Sequence, residues 1–111
     1  MTQNLNSPTH LAPETADWWR AVLEEFALEP HHRRLLRLAC EAWDRCQQAR
    51  EILDRDGLTT ETESGGLKAH PCIGIERDAR LAFARLLREL DLDAGPTPEQ
   101  ARPPALRSNR G

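Results

Sequence analysis

The chain has no tyrosine, one methionine and one lysine, Lys68, among its 15 basic residues. Aromatic residues are 5% of the 111. Trp18, Trp19, Phe26, Trp43 and Phe83 must therefore supply much of any buried area. No apolar run reaches membrane length, which excludes a spanning helix, and no signal peptide is recognisable. Cys40, Cys46 and Cys72 are an odd number and do not make a disulfide framework. These absences predict a cytoplasmic protein with reduced thiols. The sequence also lacks a Gly-rich phosphate loop, an elbow serine and a spaced carboxylate pair, so no enzymatic activity and no cofactor are expected. Zinc sites want close ligand pairs. Cys40 and Cys46 are six residues apart, about 120° around a helix, and His70 and Cys72 straddle Pro71 with no second pair. No metal is expected, and the cysteines read as small apolar residues.

The formal net charge of −3 hides an uneven distribution. Residues 14–29 carry five acids and one arginine, whereas residues 31–37 carry three arginines, two histidines and no acid. From residue 94 onward, Arg102, Arg107 and Arg110 face Glu99 alone. Two local basic patches therefore permit nucleic-acid binding that the overall charge does not announce. Fourteen arginines against one lysine can be read as phosphate recognition, but a GC-rich coding genome gives the same skew and is the better explanation.

Both ends are polar. Residues 1–13 read as a flexible arm, residues 14–92 as one helical domain, and residues 93–111, with four prolines and three arginines, as a flexible tail. About 80 residues are left for a core, a size that often gains stability by association. The spacing of Trp18, Trp19, Val22, Leu23 and Phe26 predicts a first helix over about 14–28, broken at Glu29-Pro30. A second helix should run from Pro30 to Asp56 with Gly57 closing it. Leu35, Leu36, Leu38, Ala39, Cys40, Ala42 and Trp43 cover an arc of about 200° on its first half, where one partner needs about 100°. That excess makes Leu35, Leu36, Cys40 and Trp43 candidates for an interface between copies.

The stretch LTTETESGGLKAHP, residues 58–71, is too long for a tight turn. Its threonines and Ser64-Gly65-Gly66 predict a short hairpin or an extended loop. Pro71 holds His70 out of helical conformation and opens a third helix over about 72–92. Ile75, Ala79, Ala82, Phe83, Leu86, Leu87 and Leu90 form its apolar face. Arg77, Arg80, Arg85 and Arg88 lie opposite, with Glu76–Arg80 and Arg85–Glu89 as solvated i,i+4 pairs. The fold class is all-α: a helical hairpin plus a third helix, with the β-hairpin or extended loop between the second and third.

His31-His32-Arg33-Arg34, at a helix N-terminus, oppose the macrodipole but converge with free N–H groups on a possible anion site. The simpler reading, which is preferred, is that these side chains reach back to the acidic first helix. Trp18 and Trp19 can stack on bases but sit at core spacing. The second and third helices are too far apart in sequence for a DNA-reading helix-turn-helix.

In its order of elements the chain resembles the small subunit of phage terminase, as found in tailed phages and prophages. The resemblance runs from Trp18 to Leu92. It takes in Trp18-Trp19, the long helix with Leu38, Cys40 and Trp43, Gly57, the Thr-rich segment with Gly65-Gly66, His70-Pro71 and the closing Glu89-Leu90-Asp91-Leu92. Asp91 stands where that family usually has glycine, and Pro96-Thr97-Pro98 with Arg102 echoes its tail. The resemblance implies a non-enzymatic, ring-forming factor in the bacterial host cytoplasm. Such a factor recognises double-stranded viral DNA and delivers it to the large subunit, the ATPase and nuclease. On that reading the DNA-contacting candidates are Arg33, Arg34, Arg37, Arg102, Arg107 and Arg110. A helical adaptor that binds only proteins is the alternative.

Overall fold

The computed structural model describes residues 3–92. Three helices, α1 (Pro13–Glu25), α2 (Pro30–Asp56) and α3 (Pro71–Leu90), are joined by a two-stranded sheet of β1 (Thr59–Glu61) and β2 (Leu67–Ala69) between α2 and α3. The protein is mostly α-helical, as its periodicity requires.

Each helix begins on a proline, whose fixed φ suits the first helical position and whose missing N–H is no loss there. The residue before each proline is extended, with ψ of 154° at Ala12, 159° at Glu29 and 136° at His70. Helix α1 stops at Glu25, three residues short of the expected Leu28. Phe26 turns extended, and residues 26–29 become the connection to α2. Because Glu29 must be extended before Pro30, the preceding residues are used to swing the chain round.

The helices α2 and α3 lie antiparallel along a seam with alternating steps of three and four. Leu36, Ala39, Trp43, Cys46, Arg50 and Leu53 on α2 meet Cys72, Glu76, Ala79, Phe83, Leu86 and Leu90 on α3. Helix α1 packs near the far end of this pair. Trp19, Val22 and Leu23 join Leu36, Ala39, Cys40 and Leu90 in the core.

Residues 3–12, excluded from the core on composition, contribute to it. Leu11 is buried and Leu5 packs against the cluster. Gln3 Nε2 donates to the carbonyls of Leu23 (2.6 Å) and Phe26 (2.7 Å), partnering backbone acceptors at the end of α1. Ala12 offers no side-chain cap, and Asp44 of α2 supplies one instead. Its carboxylate accepts from the Ala12 N–H (2.8 Å) and the Thr15 hydroxyl (2.5 Å).

The sheet pairs Thr59 with Ala69, Thr60 with Lys68 and Glu61 with Leu67. Gly65 turns its loop at φ 89°, and Thr62 Oγ1 accepts from the Gly66 N–H at 3.0 Å. At the base of the hairpin, His70 Nδ1 accepts from the Cys72 N–H (3.0 Å), capping α3. That leaves the ring proton on Nε2, which is donated to Asp56 Oδ2 at 3.2 Å. One imidazole thus ties the end of α2 to the start of α3.

Candidate nucleic-acid interface and subunit surface

The basic cluster occupies the first turns of α2, where no acidic residue offsets it. Its members have different surroundings. The Arg33 guanidinium lies 5.4 Å from the centre of the Trp19 ring, so it does reach back to α1, onto an aromatic face. Arg37 Nε donates to Glu41 Oε2 at 3.1 Å, and His10 Nε2 approaches the same oxygen at 2.7 Å. Burial raises the Glu41 pKa, but Arg37 and His10 outweigh it and bring the carboxyl below its ordinary value. Arg34 is exposed and has no ion-pair partner among the described residues. The His31 and His32 rings lie 4.1 Å apart beside it. The α2 end therefore presents one unengaged guanidinium, Arg34, between one stacked on tryptophan and one already paired. Arg102, Arg107 and Arg110 lie outside the described residues.

The interface candidates divide sharply. Leu36 and Cys40 are 0% exposed within a single chain, and Leu35 is partly buried against the same core. Leu36 and Cys40 therefore pack in the core of the single chain, which leaves the more exposed part of the arc for any contact with another copy. The broad arc exists because α2 has two partners within the chain: α1 with the N-terminal segment, and α3. From that arc, Leu38 remains 50% and Trp43 42% exposed. Leu81 on α3 and Leu58 and Leu67 on the hairpin are more exposed still.

Trp43 also belongs to an aromatic cluster. Its ring lies 5.2 Å from that of Phe83, which is 6.1 Å from Trp18, so α1, α2 and α3 meet at three rings. These rings, with Glu14 and Thr15, line an open cleft of about 270 Å³. Through Glu14, Thr15 and Trp43 it continues into a second cleft of about 380 Å³ along Asp44, Gln47, Gln48 and Glu51.

Glu76, expected on the solvated side of α3, is buried in the α2–α3 seam. The Cys46 thiol donates to Glu76 Oε2 (3.5 Å), as does Arg50 Nη2 (3.3 Å), and Arg80 pairs with it at 3.4 Å. Burial raises the Glu76 pKa, but these donors and cations bring the net below the ordinary carboxylate value. Burial and then Glu76 push the Cys46 thiol up. Cys46 is thus a hydrogen-bond donor as well as a small apolar residue. Among the described residues, no group of His, Cys, Asp or Glu is placed to hold a metal ion. Nor is any helix there long and apolar enough to cross a membrane.

The family model for the small subunit of phage terminase matches residues 16–100, more than half of the chain. The chain belongs to that family. The matched region takes in most of α1, all of α2, the hairpin and α3. No curated protein matches the chain, and no solved structure does either. In terminase terms, Asp91 is informative. It closes α3 at φ 56° with its N–H bonded to the Leu87 carbonyl at 3.2 Å, a left-handed position that favours the glycine usual there.

Proposed function

We propose that this terminase small subunit is a non-catalytic DNA-recognition factor. It assembles with copies of itself in the host cytoplasm and delivers double-stranded viral DNA to the large subunit, which carries out ATP hydrolysis and cleavage. The family match supports the role. The observation that supports a surface for it is the α2 N-terminus, where Arg34 stands unengaged beside His31 and His32 in a first turn without acids. The backbone N–H groups of the first turn and an unengaged guanidinium on the same helix end suit a phosphate. Arg33 and Arg37 add positive potential from positions their own partners hold. Arg102, Arg107 and Arg110 supply a second, sequence-independent contribution. Assembly draws on Leu38, Trp43 and Leu81, large apolar side chains left about half exposed by the described chain.

Fluorescence anisotropy on double-stranded DNA across a salt series tests the reading. Each phosphate engaged contributes about −0.9 to the log–log slope, so a multi-subunit assembly should show a steep dependence. Arg34→Gln should weaken binding to every sequence and flatten the slope by about 0.9 per engaged subunit. DNA binding absent even at low salt would overturn the proposal in favour of a protein-only adaptor.

A further inference from the structure

Two faces of the molecule, on different sides of α3, are complementary in polarity and in charge. The first is the groove between α1, α2 and α3, with Trp18, Trp43 and Phe83 at one end and Glu51 at the other. Glu14 borders both parts, and no basic side chain lines either. Glu14 and Glu51 are exposed and have no ion-pair partner among the described residues. The second face is the outer side of α3. At about 100° per residue, Arg77, Leu81, Arg85 and Arg88 fall within an arc of about 80°, centred about 160° from Phe83. Leu81, 55% exposed, sits in the middle of that arc. Arg77 is tied to Asp78 at 3.4 Å, whereas Arg85 and Arg88 have no ion-pair partner among the described residues, Glu89 included. One face thus sets an apolar side chain among cations, and the other sets aromatic rings beside acids.

We propose that the outer face of α3 of one copy docks in this groove of the next, with Leu81 on the rings of Trp43 and Phe83 and with Arg85 and Arg88 toward Glu14 and Glu51. The pairing rests on the self-assembly proposed above and names the surfaces that carry it. The register fits. Glu51 lies about 12 Å along α2 from Trp43, and Arg88 lies about 10 Å along α3 from Leu81. With the visiting α3 parallel to the host's α2, Leu81 on the rings brings Arg88 level with Glu51. Arg85, about 6 Å past Leu81, comes level with Gln47. Glu14 stands beside Asp44, whose carboxylate caps α1 at Ala12 and Thr15, so Arg85 falls between Glu14 and Glu51. Two unengaged arginines therefore meet two unengaged glutamates, and this match favours a second copy as the occupant. Because the two faces do not overlap, each copy offers both at once and the contact is head-to-tail. Repetition of such a contact gives a closed ring or an open filament rather than a lone pair.

The test uses the full chain without DNA. Light scattering over a concentration series follows assembly, and far-UV circular dichroism follows folding. Arg85→Glu/Arg88→Glu should raise the concentration for half-assembly by about tenfold or more, because like charges then face each other. Glu14→Arg/Glu51→Arg should do the same. An equimolar mixture of the two variants should assemble where neither does alone, since each groove then meets an α3 of opposite charge. A chain carrying all four substitutions should assemble as well. Misfolding cannot produce recovery on mixing. A mixture as dispersed as its components, or reversals that leave assembly like the parent's, would overturn the pairing while self-assembly stands. A parent that stays monomeric at every concentration would overturn self-assembly and the pairing with it. If Arg85→Glu/Arg88→Glu weakened DNA binding in a separate titration and left assembly intact, the face would belong to DNA and the pairing would again be overturned.

Discussion

Leu36 and Leu38 are two residues apart on α2 and nearly opposite in fate, so they separate folding from assembly. Leu36 is completely enclosed by α1, α3 and its own neighbours, whereas half of Leu38 is exposed. Truncating a fully buried leucine to alanine removes its transfer free energy and leaves a cavity, together about 2–5 kcal/mol. For a domain of this size, about 3 kcal/mol corresponds to a Tm lower by about 12–24 °C. Leu38→Glu forfeits at most half of a leucine's burial, about 1 kcal/mol, and puts a charge where a second copy would sit. Melts followed by far-UV circular dichroism over a chain-concentration series distinguish the two effects, because assembly makes Tm depend on concentration. Leu36→Ala should lower Tm at every concentration. Leu38→Glu should mainly remove the concentration dependence, with light scattering showing smaller particles. If Leu36→Ala left Tm unmoved and abolished assembly, the enclosure of Leu36 within one chain would be refuted.

Three other outcomes follow from single positions. Gly57→Ala should lower the unfolding free energy from urea titration by about 1–3 kcal/mol, because φ 87° with ψ 178° is a backbone conformation for glycine alone, even though the space around it is open. Cys40, whose thiol burial and then Asp44 and Glu41 push up to about 12, should not react with a disulfide reagent at pH 8 until denaturant opens the chain. Reaction at the rate of a free thiol would contradict its enclosure. On the acid side, Arg55 and then His70 lower Asp56 from 3.8 to about 2, so its carboxylate stabilises the fold above pH 3.8 and loses that effect as pH falls toward 2. Glu76 acts in the same direction. Acid titration of Asp56→Asn should therefore show a shallower loss than the parent, and an unchanged curve would remove the His70–Asp56 tie from the account.

Helix starts were legible because proline writes them into the chain at residues 13, 30 and 71. The hairpin was legible from its threonines and Gly65-Gly66. Two features escaped for related reasons. The wide apolar arc on α2 is covered in part by Leu5 and Leu11, and nothing in the polar N-terminal sequence announces that they dock there. Glu76 was read through its i,i+4 partner Arg80, although at 100° per residue it falls about 40° from Cys72, inside the stripe that continues through Ala79 and Phe83. Charge outweighed position in that reading. The seam shows position prevailing, with Arg50 placed opposite to receive the carboxylate. On the DNA side the cluster at residues 33–37 was visible, but its division into stacked, unengaged and paired arginines depends on Trp19 and Glu41, which only the fold brings near.

The prolines that open each helix also limit how this protein can move. An N-terminal end that begins on proline, behind a residue held extended, cannot grow by recruiting the preceding turn. At the other ends, Gly57 and Asp91 sit at positive φ and stop α2 and α3 from running on. Only α1 has room to lengthen, through Phe26 to Leu28. A change of shape on meeting DNA or another subunit must therefore be a swing of rods of fixed length about residues 26–29 and 57–70. Its reach is set by joint angles rather than by coil becoming helix.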